Sequence, residues 1–230
     1  MRSIRRRRPQ PELLRHGVTA RIREMIWGGT YAPGTHLTET ELAERLGFSR
    51  GPIREAIQEL VRQGLVITIP NRGAFVVKWS VEDVSEVFDV RSVLEGLAAK
   101  VALQRLTPER LLPPFERIVE AMGRVGHSDQ LMSLVDLEMG FHRTLARSSG
   151  NRRLIRMHDD LAAQTKMLIA VSAEARVRLH EDFAAIADLH RPILEAFRSG
   201  DADAARREAE EHVRSAGRRL IQRMLAGSLR

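Results

Sequence analysis

The stretch GFSRGPIREAIQEL, residues 47–60, carries the pattern that decides the first part of the fold. Ser49 stands where a helix N-cap is expected, and three apolar residues then recur at helical spacing to form one face, namely Ile53, Ile57 and Leu60. Arg50 and Arg54 are four residues apart and share a second face of the same helix. A helix that packs by one face and presents guanidinium groups on another can enter the major groove of DNA, where the arginine fork pairs with guanine.

The flanking segments complete a winged helix-turn-helix pattern. Apolar residues at helical spacing between Val18 and Ile26 predict a first helix, and a capping box at Thr38 begins a short second helix that ends at Gly47. LVITIP and GAFVVK follow the third helix as two β-branched runs around a turn, which predicts a hairpin. A hairpin after a recognition helix is a wing, and we expect Arg72 and Gly73 at its tip to approach the minor groove.

The charge distribution favours this interpretation, because the excess of positive charge lies in the first third of the chain. Residues 1–78 carry 14 Lys and Arg against 7 Asp and Glu, whereas residues 79–230 carry 23 of each. A basic module joined to a neutral one suggests that the first part binds a polyanion. The alternative is that Arg50 and Arg54 form an ordinary solvated face and that the basic N-terminus is merely a solvated tail.

The composition excludes several classes of protein. The chain has no cysteine, so disulfides, thiolate zinc sites and thiol nucleophiles are excluded, and any metal must be held by histidine and carboxylate. It has neither a run of about 18 apolar residues nor a signal-peptide pattern, so we expect a soluble cytoplasmic protein with no membrane partner. The predicted organisation is a disordered basic arm (1–11), a winged helix-turn-helix (12–78), a linker (79–81) and a helical domain (82–226).

The pattern of the helical domain predicts an all-α antiparallel bundle of six or seven helices, which makes the whole chain mainly α. The first long helix should end near Leu106, and a second should start at Pro108, with Pro113 and Pro114 interrupting it or delaying its start. Pro192 should break or kink a later helix. The remaining predicted helices are 128–148, 151–172, 176–199 and 201–224.

Four residues of the bundle form a candidate metal site, namely Glu138, His142, His190 and His212. Glu138 and His142 are four residues apart and share a helix face, whereas the later histidines come from two other helices. A bundle core can assemble such residues into a site for zinc, nickel or manganese with positions open for water or a ligand. The alternative is that His142 is a hydrogen-bonded core residue and that the later histidines cap or decorate helix faces.

The stretch LTETELAERLGFSRGPIREAIQELVRQGLVITIPNRGAFV, within a match over residues 17–78, resembles the winged helix-turn-helix of GntR-type bacterial transcription regulators. The resemblance implies that Arg50 and Arg54 contact bases, that Ser49 contacts phosphate and that Gly73 lies in the minor groove. Many members carry a further DNA-contacting arginine where this sequence has Thr40.

Three stretches between residues 82 and 222 resemble the FCD effector domain of one GntR subgroup, namely DVRSVLEGLAAKVA, LEMGFHRTLARSSGN and LHRPILEAFRSGDADAARREAEEHV. Its metal-binding members use a carboxylate four residues before a histidine and two later histidines spaced as His190 and His212 are. That carboxylate is usually aspartate, and this sequence has Glu138. The resemblance also implies that Arg91 faces a ligand cavity, where it could bind an effector carboxylate by a bidentate hydrogen bond. The alternative is an ion pair between Arg91 and Glu95.

These observations favour a ligand-responsive transcription regulator, in this family most often a repressor. It would bind an inverted-repeat operator in double-stranded DNA as a homodimer, and a small organic acid held in a metal-containing bundle would release it. One alternative is a metal-free regulator with an apolar pocket for an acyl ligand. Another is a metal-dependent hydrolase, which the sequence disfavours because we find no additional paired acid and base at a recognisable spacing.

Overall fold

A computed structural model describes residues 11–125, 131–178 and 184–227 of the 230-residue chain. The predicted basic arm falls outside the described residues except for Pro11, where the first helix begins. Internal contacts divide the chain into two compact units, Met1–Lys78 and Trp79–Arg230. The structure confirms the mainly helical fold class. Within the described ranges, no helix combines the length and apolar character needed to cross a membrane.

The first unit has the helix and hairpin order of a winged helix-turn-helix. Its elements are α1 (Pro11–Trp27), β1 (His36–Leu37), α2 (Glu39–Leu46), α3 (Arg50–Arg62), β2 (Val66–Ile69) and β3 (Gly73–Val76). The strands form an antiparallel sheet in the order β1-β3-β2, with Val66 opposite Val76 in the hairpin. The sequence did not predict strand β1, because its two residues are too few to show an alternating pattern.

Local caps bear on where α2 begins and ends and on where α3 begins. Thr38 accepts a hydrogen bond from the backbone N–H of Glu41 at 3.2 Å, but the Glu41 carboxylate accepts from the Tyr31 hydroxyl at 3.0 Å, away from the cap. Gly47 has φ 72°, the left-handed conformation that ends α2 and that glycine adopts without strain. Ser49 is the N-cap of α3, although its side chain makes no capping hydrogen bond. The turn is therefore set mainly by Gly47.

The second unit is a helical bundle. Its described helices are α4 (Val81–Arg105), α5 (Pro108–Gly123), α6 (Leu131–Ser148), α7 (Arg152–Arg178), α8 (Ala184–Ser199) and α9 (Ala202–Leu225). Helix α4 begins with a reciprocal capping box between Ser80 and Asp83. It packs along α9, while α5 packs on α8 and α6 packs on α7. Phe115, Phe141 and Phe197 are fully buried at the centre of the largest apolar cluster.

The structure corrects three of the predicted helix boundaries. Helix α5 runs through Pro113 and Pro114 without interruption, and α8 continues through Pro192, so the predicted break there is wrong, while a kink at Pro192 stays a prediction. These prolines leave carbonyls without their helical donors, but the carbonyls belong to residues that are exposed to water, namely Glu109, Arg110 and Asp188. The predicted break between residues 172 and 176 is also wrong, because α7 continues to Arg178. No glycine or proline stands in that segment to end it.

Candidate functional site

The recognition helix α3 has the two faces that the sequence predicted. Ile53, Ile57 and Leu60 are buried, whereas Arg50, Arg54 and Gln58 are exposed on the other side. Ser49 is also exposed, and its hydroxyl is not used for capping. This face can therefore offer guanidinium groups to base edges and a hydroxyl to phosphate.

Arg54 is held by a carboxylate that the sequence analysis did not single out. Its Nε and Nη2 donate to the two carboxylate oxygens of Glu39 in α2, at 2.7 and 2.8 Å. The two partners are 62% and 32% exposed, so the pair lies at the surface. A bidentate pair fixes the plane of the guanidinium group. Glu39 thus orients Arg54 from the neighbouring helix, next to the exposed Thr40.

The tip of the wing is shaped by its own packing. Gly73 has φ 97°, and a Cβ there would lie 2.6 Å from Nε2 of His36, whose ring stacks on Phe75 at 4.7 Å. Glycine is therefore required by the fold of the hairpin as well as being suited to close approach of DNA. Arg72 is exposed, and its guanidinium carbon lies 5.8 Å from the centre of the Phe75 ring.

Three of the four predicted metal ligands come together inside the bundle. His142 of α6, His190 of α8 and His212 of α9 each offer a ligand atom, and these atoms lie within 4.8 Å of one another. The ring centres are 4.3 Å apart for His190 and His212 and 5.4 Å apart for His142 and His212. We call these three residues the histidine cluster. His142 and His212 are 70 positions apart in the sequence, and they meet only because the three helices pack together.

Each histidine of the cluster uses Nδ1 in a hydrogen bond. Nδ1 of His190 lies 2.9 Å from the carbonyl of Ile186, and Nδ1 of His212 lies 3.0 Å from the carbonyl of Leu189. A carbonyl can only accept, so Nδ1 of both rings must carry the proton and Nε2 is left with its lone pair. Nδ1 of His142 lies 2.5 Å from a carboxylate oxygen of Glu95. This is the arrangement by which outer partners orient metal-binding histidines.

Two further observations show that the histidine cluster suits a divalent transition metal. Nε2 of His190 is buried and has no hydrogen-bond partner among the described residues, which is costly unless a ligand fills the position. Burial, and then the charge of His142, lowers the pKa of His190 to about 3. Burial and the neighbouring His190 lower the pKa of His212 well below its usual value. Both rings are therefore neutral near pH 7, as metal ligands must be.

Glu138, the fourth predicted ligand, lines the same cavity as His142 and His212, but its carboxylate is not among the atoms of the close cluster. Burial raises its pKa above the usual value, in spite of the opposing charges of His142 and Arg176. A bound cation would lower that pKa again and stabilise the ionised form. Its role as a ligand stays a prediction.

Glu95 of α4 links the histidine cluster to Arg91. The sequence indicated Glu95 only as a possible ion-pair partner of Arg91. Arg91 donates to one oxygen of Glu95 from Nε and Nη2, at 3.1 and 2.9 Å, while the other oxygen meets His142. Burial alone would raise the pKa of Glu95, but His142 and Arg91 outweigh it and the pKa is lowered. His158 of α7 completes this group, with Nε2 3.9 Å from Glu95.

A cavity opens beside the histidine cluster. It contains about 580 Å³ of empty space, part of which is open to solvent. Its wall carries the apolar side chains of Phe88, Leu168 and Ile169. It also carries three arginines, from α4, α7 and α9, namely Arg91, Arg176 and Arg219. Arg91 therefore both lines the cavity and pairs with Glu95. Its binding of an effector carboxylate stays a prediction.

Comparisons with known proteins agree with this architecture. Residues 14–76 match the model of the gntR family of bacterial regulatory proteins, and residues 86–215 match the FCD domain. The chain is similar to an HTH-type transcriptional regulator from Streptomyces ambofaciens, with 31% identity over 205 residues that cover 87% of this chain and 82% of the relative. It is also similar to the gluconate operon transcriptional repressor of Bacillus licheniformis, with 28% identity over 187 residues that cover 81% of this chain and 76% of the relative.

A solved structure shares the fold. The crystal structure of a GntR transcriptional regulator from Rhodococcus sp. RHA1 superimposes with a TM-score of 0.72 and 22% sequence identity. The match covers 90% of this chain and 97% of that protein. The element order of both units is therefore that of a known architecture.

Proposed function

Because the chain belongs to the GntR family of bacterial regulatory proteins and carries an FCD domain, we propose that it is a metabolite-controlled repressor. In this proposal it binds an inverted-repeat operator in double-stranded DNA as a homodimer, and a small carboxylate effector bound beside a metal releases it. Members of the family regulate transcription, and the chain is not an enzyme. The hydrolase alternative is therefore wrong.

The exposed face of α3 supports the operator-binding part. Arg50 and Arg54 would contact base edges, because a guanidinium fork pairs with guanine, whereas Ser49 would contact phosphate. Arg72 and Gly73 of the wing would enter the minor groove. A protein that acts in this way would work in the cytoplasm, where the operator is.

The observation that carries the effector part is the common orientation of the histidine cluster. Outer partners at Nδ1 leave Nε2 as the nitrogen able to bind a metal, and in His190 that atom is buried without a partner. His142, His190 and His212, with Glu138 from the same cavity wall, would hold zinc, nickel or manganese. When bound, the metal would supply an open position for an effector carboxylate, and Arg91 would donate to the same ligand from the cavity wall.

An apolar stripe on α4 supports the homodimer. Val90, Val93 and Leu97 share one face of the helix and are 48%, 53% and 42% exposed. Large apolar residues clustered on one surface mark interaction sites. An inverted-repeat operator has two-fold symmetry and requires a two-fold protein, so a second copy of this chain is the partner that this stripe fits.

The test begins with the protein purified without a metal-affinity tag and with operators selected from a random-sequence pool. Elemental analysis should find about one equivalent of transition metal per chain. Small carboxylic acids should then lower operator affinity in a fluorescence anisotropy titration, and chelation should abolish that response. The control is the His190→Ala variant, which should keep its fold and its operator affinity but lose the response to acid.

Two results would contradict the proposal. If neither purified nor zinc-supplemented protein holds metal, the histidine cluster is structural. If long-chain acyl compounds release the operator and His190→Ala responds as the wild type does, the metal-free apolar pocket is the correct function. Arg219 disfavours that second outcome, because it lines the cavity, has no ion-pair partner among the described residues, and would be left without a counter-charge by an apolar ligand.

A further inference from the structure

Arg219 of α9 occupies an unusual position in the cavity wall. Its side chain is half-buried, and within the described ranges it makes no hydrogen bond or ion pair. Burial lowers its pKa, and the positive charges of Arg176 and Arg223 lower it further. The charge of Glu138 raises the pKa of Arg219, but its carboxylate lies beyond ion-pair distance. A partly desolvated cation close to other cations costs folding free energy unless an anion compensates it.

Neighbouring arginines on the same helix differ from Arg219 in this respect. Arg214 donates to Glu210 at 3.1 Å, and Arg218 donates to Glu211 at 2.5 Å. Arg219 also lines a second groove, which contains Glu208 and Glu211, yet neither carboxylate pairs with it. Carboxylates are therefore available on α9, and they serve the other arginines.

The charges that line the cavity also leave Arg219 without a counter-charge. The described lining residues include three guanidinium groups and one carboxylate, Glu138. Arg91 is compensated by Glu95, which lies behind it in the bundle. If Glu138 binds the metal, as the proposed function has it, that carboxylate compensates the metal and not Arg219. An effector with one carboxylate, bound at the metal, would then leave Arg219 without a counter-charge.

We propose that Arg219 forms a second anion subsite of the cavity, so that the effector carries two anionic groups. One group would lie at the histidine cluster and the other, a carboxylate or a phosphate, would accept hydrogen bonds from Arg219. The ligand class is thus a small dicarboxylate or a phosphorylated acid. This inference rests on the proposed function, because it concerns the ligand of the same cavity.

The experiment compares acids with one and with two anionic groups on the same carbon chain, bound to the zinc-loaded full-length protein, by titration calorimetry. Succinate and glutarate are compared with butyrate and valerate, and 3-phosphoglycerate is compared with glycerate. We expect the acid with two anionic groups in each pair to bind about tenfold or more tightly, since it gains a charge-assisted pair. Arg219→Gln should remove this preference and leave the affinity for butyrate unchanged. Arg218→Gln is the matched control on the exposed side of the helix and should keep the preference.

A second measurement separates a ligand site from a structural role. The melting temperature of ligand-free Arg219→Gln should equal or exceed that of the wild type, because the substitution removes a cation from among other cations. A large fall in that temperature would overturn the proposal, since Arg219 would then support the fold.

The remaining outcomes distinguish this inference from the proposed function. If both acids of each pair bind equally, or if both variants lose the same affinity, the second subsite is wrong and the proposed function stands. If no acid of either kind binds the zinc-loaded protein although it binds its operator, the effector part of the proposed function fails as well. Preference for the phosphorylated acid over both dicarboxylates would identify the second group as phosphate.

Discussion

Replacing His190 by leucine should separate the histidine cluster as a metal site from the same cluster as a structural feature. Metal that binds only the folded protein at a concentration of 100 times its Kd stabilises it by about 2.7 kcal/mol. In a chain of this size, each kcal/mol changes Tm by roughly 2–4 °C, so chelation should lower the wild-type Tm by about 5–11 °C. The variant should show no such difference between its zinc-loaded and chelated forms.

The metal-free state of the same variant should behave in a different way. The wild type buries Nε2 of His190 without a partner, at a cost of about 1–3 kcal/mol, and gains about 0.5–1.5 kcal/mol from the Nδ1 hydrogen bond to Ile186. His190→Leu removes both terms. The chelated variant should therefore melt no more than about 2 °C below the chelated wild type, or above it.

The assay is calorimetric melting of both proteins, with and without zinc. His158→Leu is the control, because His158 is also buried, lies outside the cluster, and also has one ring nitrogen without a partner among the described residues, in its case Nδ1. The control should keep most of the zinc-dependent gain. The reasoning is refuted if zinc does not change the wild-type Tm, or if His190→Leu retains the full gain.

Four further substitutions test other parts of the structure. Arg54→Ala should lower affinity for the selected operator by roughly 5-fold to 150-fold and leave affinity for random DNA nearly unchanged. Fluorescence anisotropy would measure both affinities, and equal losses on the operator and on random DNA would mean that Arg54 contacts phosphate. Glu39→Ala should reduce the ratio of operator to random affinity, because Arg54 loses the carboxylate that orients it, whereas Glu44→Ala on the exposed side of α2 should not. Glu95→Gln should weaken zinc affinity by about 10–100-fold in a chelator competition, and an unchanged affinity would show that His142 needs no carboxylate partner. If the chain is the homodimer proposed above, Val93→Glu should convert it to monomer in sedimentation, and a dimer that persists would place the interface elsewhere.

Local signals account for most of the helix-turn-helix that the sequence predicted. The repeat of Ile53, Ile57 and Leu60, the glycine at position 47 and the β-branched runs of the hairpin act over a few residues, and the structure has elements at each. The predictions of secondary structure were wrong where local signals were weak or where tertiary packing overrode them. Strand β1 is too short for a pattern, and the prolines of α5 and α8 lie within helices that packing holds in place.

The candidate sites divide in the same way. Spacing along one helix selected Arg50 with Arg54 and Glu138 with His142, because residues that share a helix face recur at fixed intervals. His190 and His212 lie on two other helices, and the resemblance to the FCD domain pointed to them. Spacing did not find Glu39, Glu95 or Arg219. Each of these residues acts on a partner from another helix or on the space between helices, and no local pattern marks such a relation.

The sequence by itself determined the family, the recognition helix and the residue types available for a metal, since these depend on identity and short-range period. Only the tertiary structure decided which nitrogen of each histidine is left to bind, and which arginine lacks a partner. Glu95 and His142 are 47 residues apart, and they meet because α4 packs against α6. The direction of a hydrogen bond depends on such packing, and the packing is a property of the whole bundle.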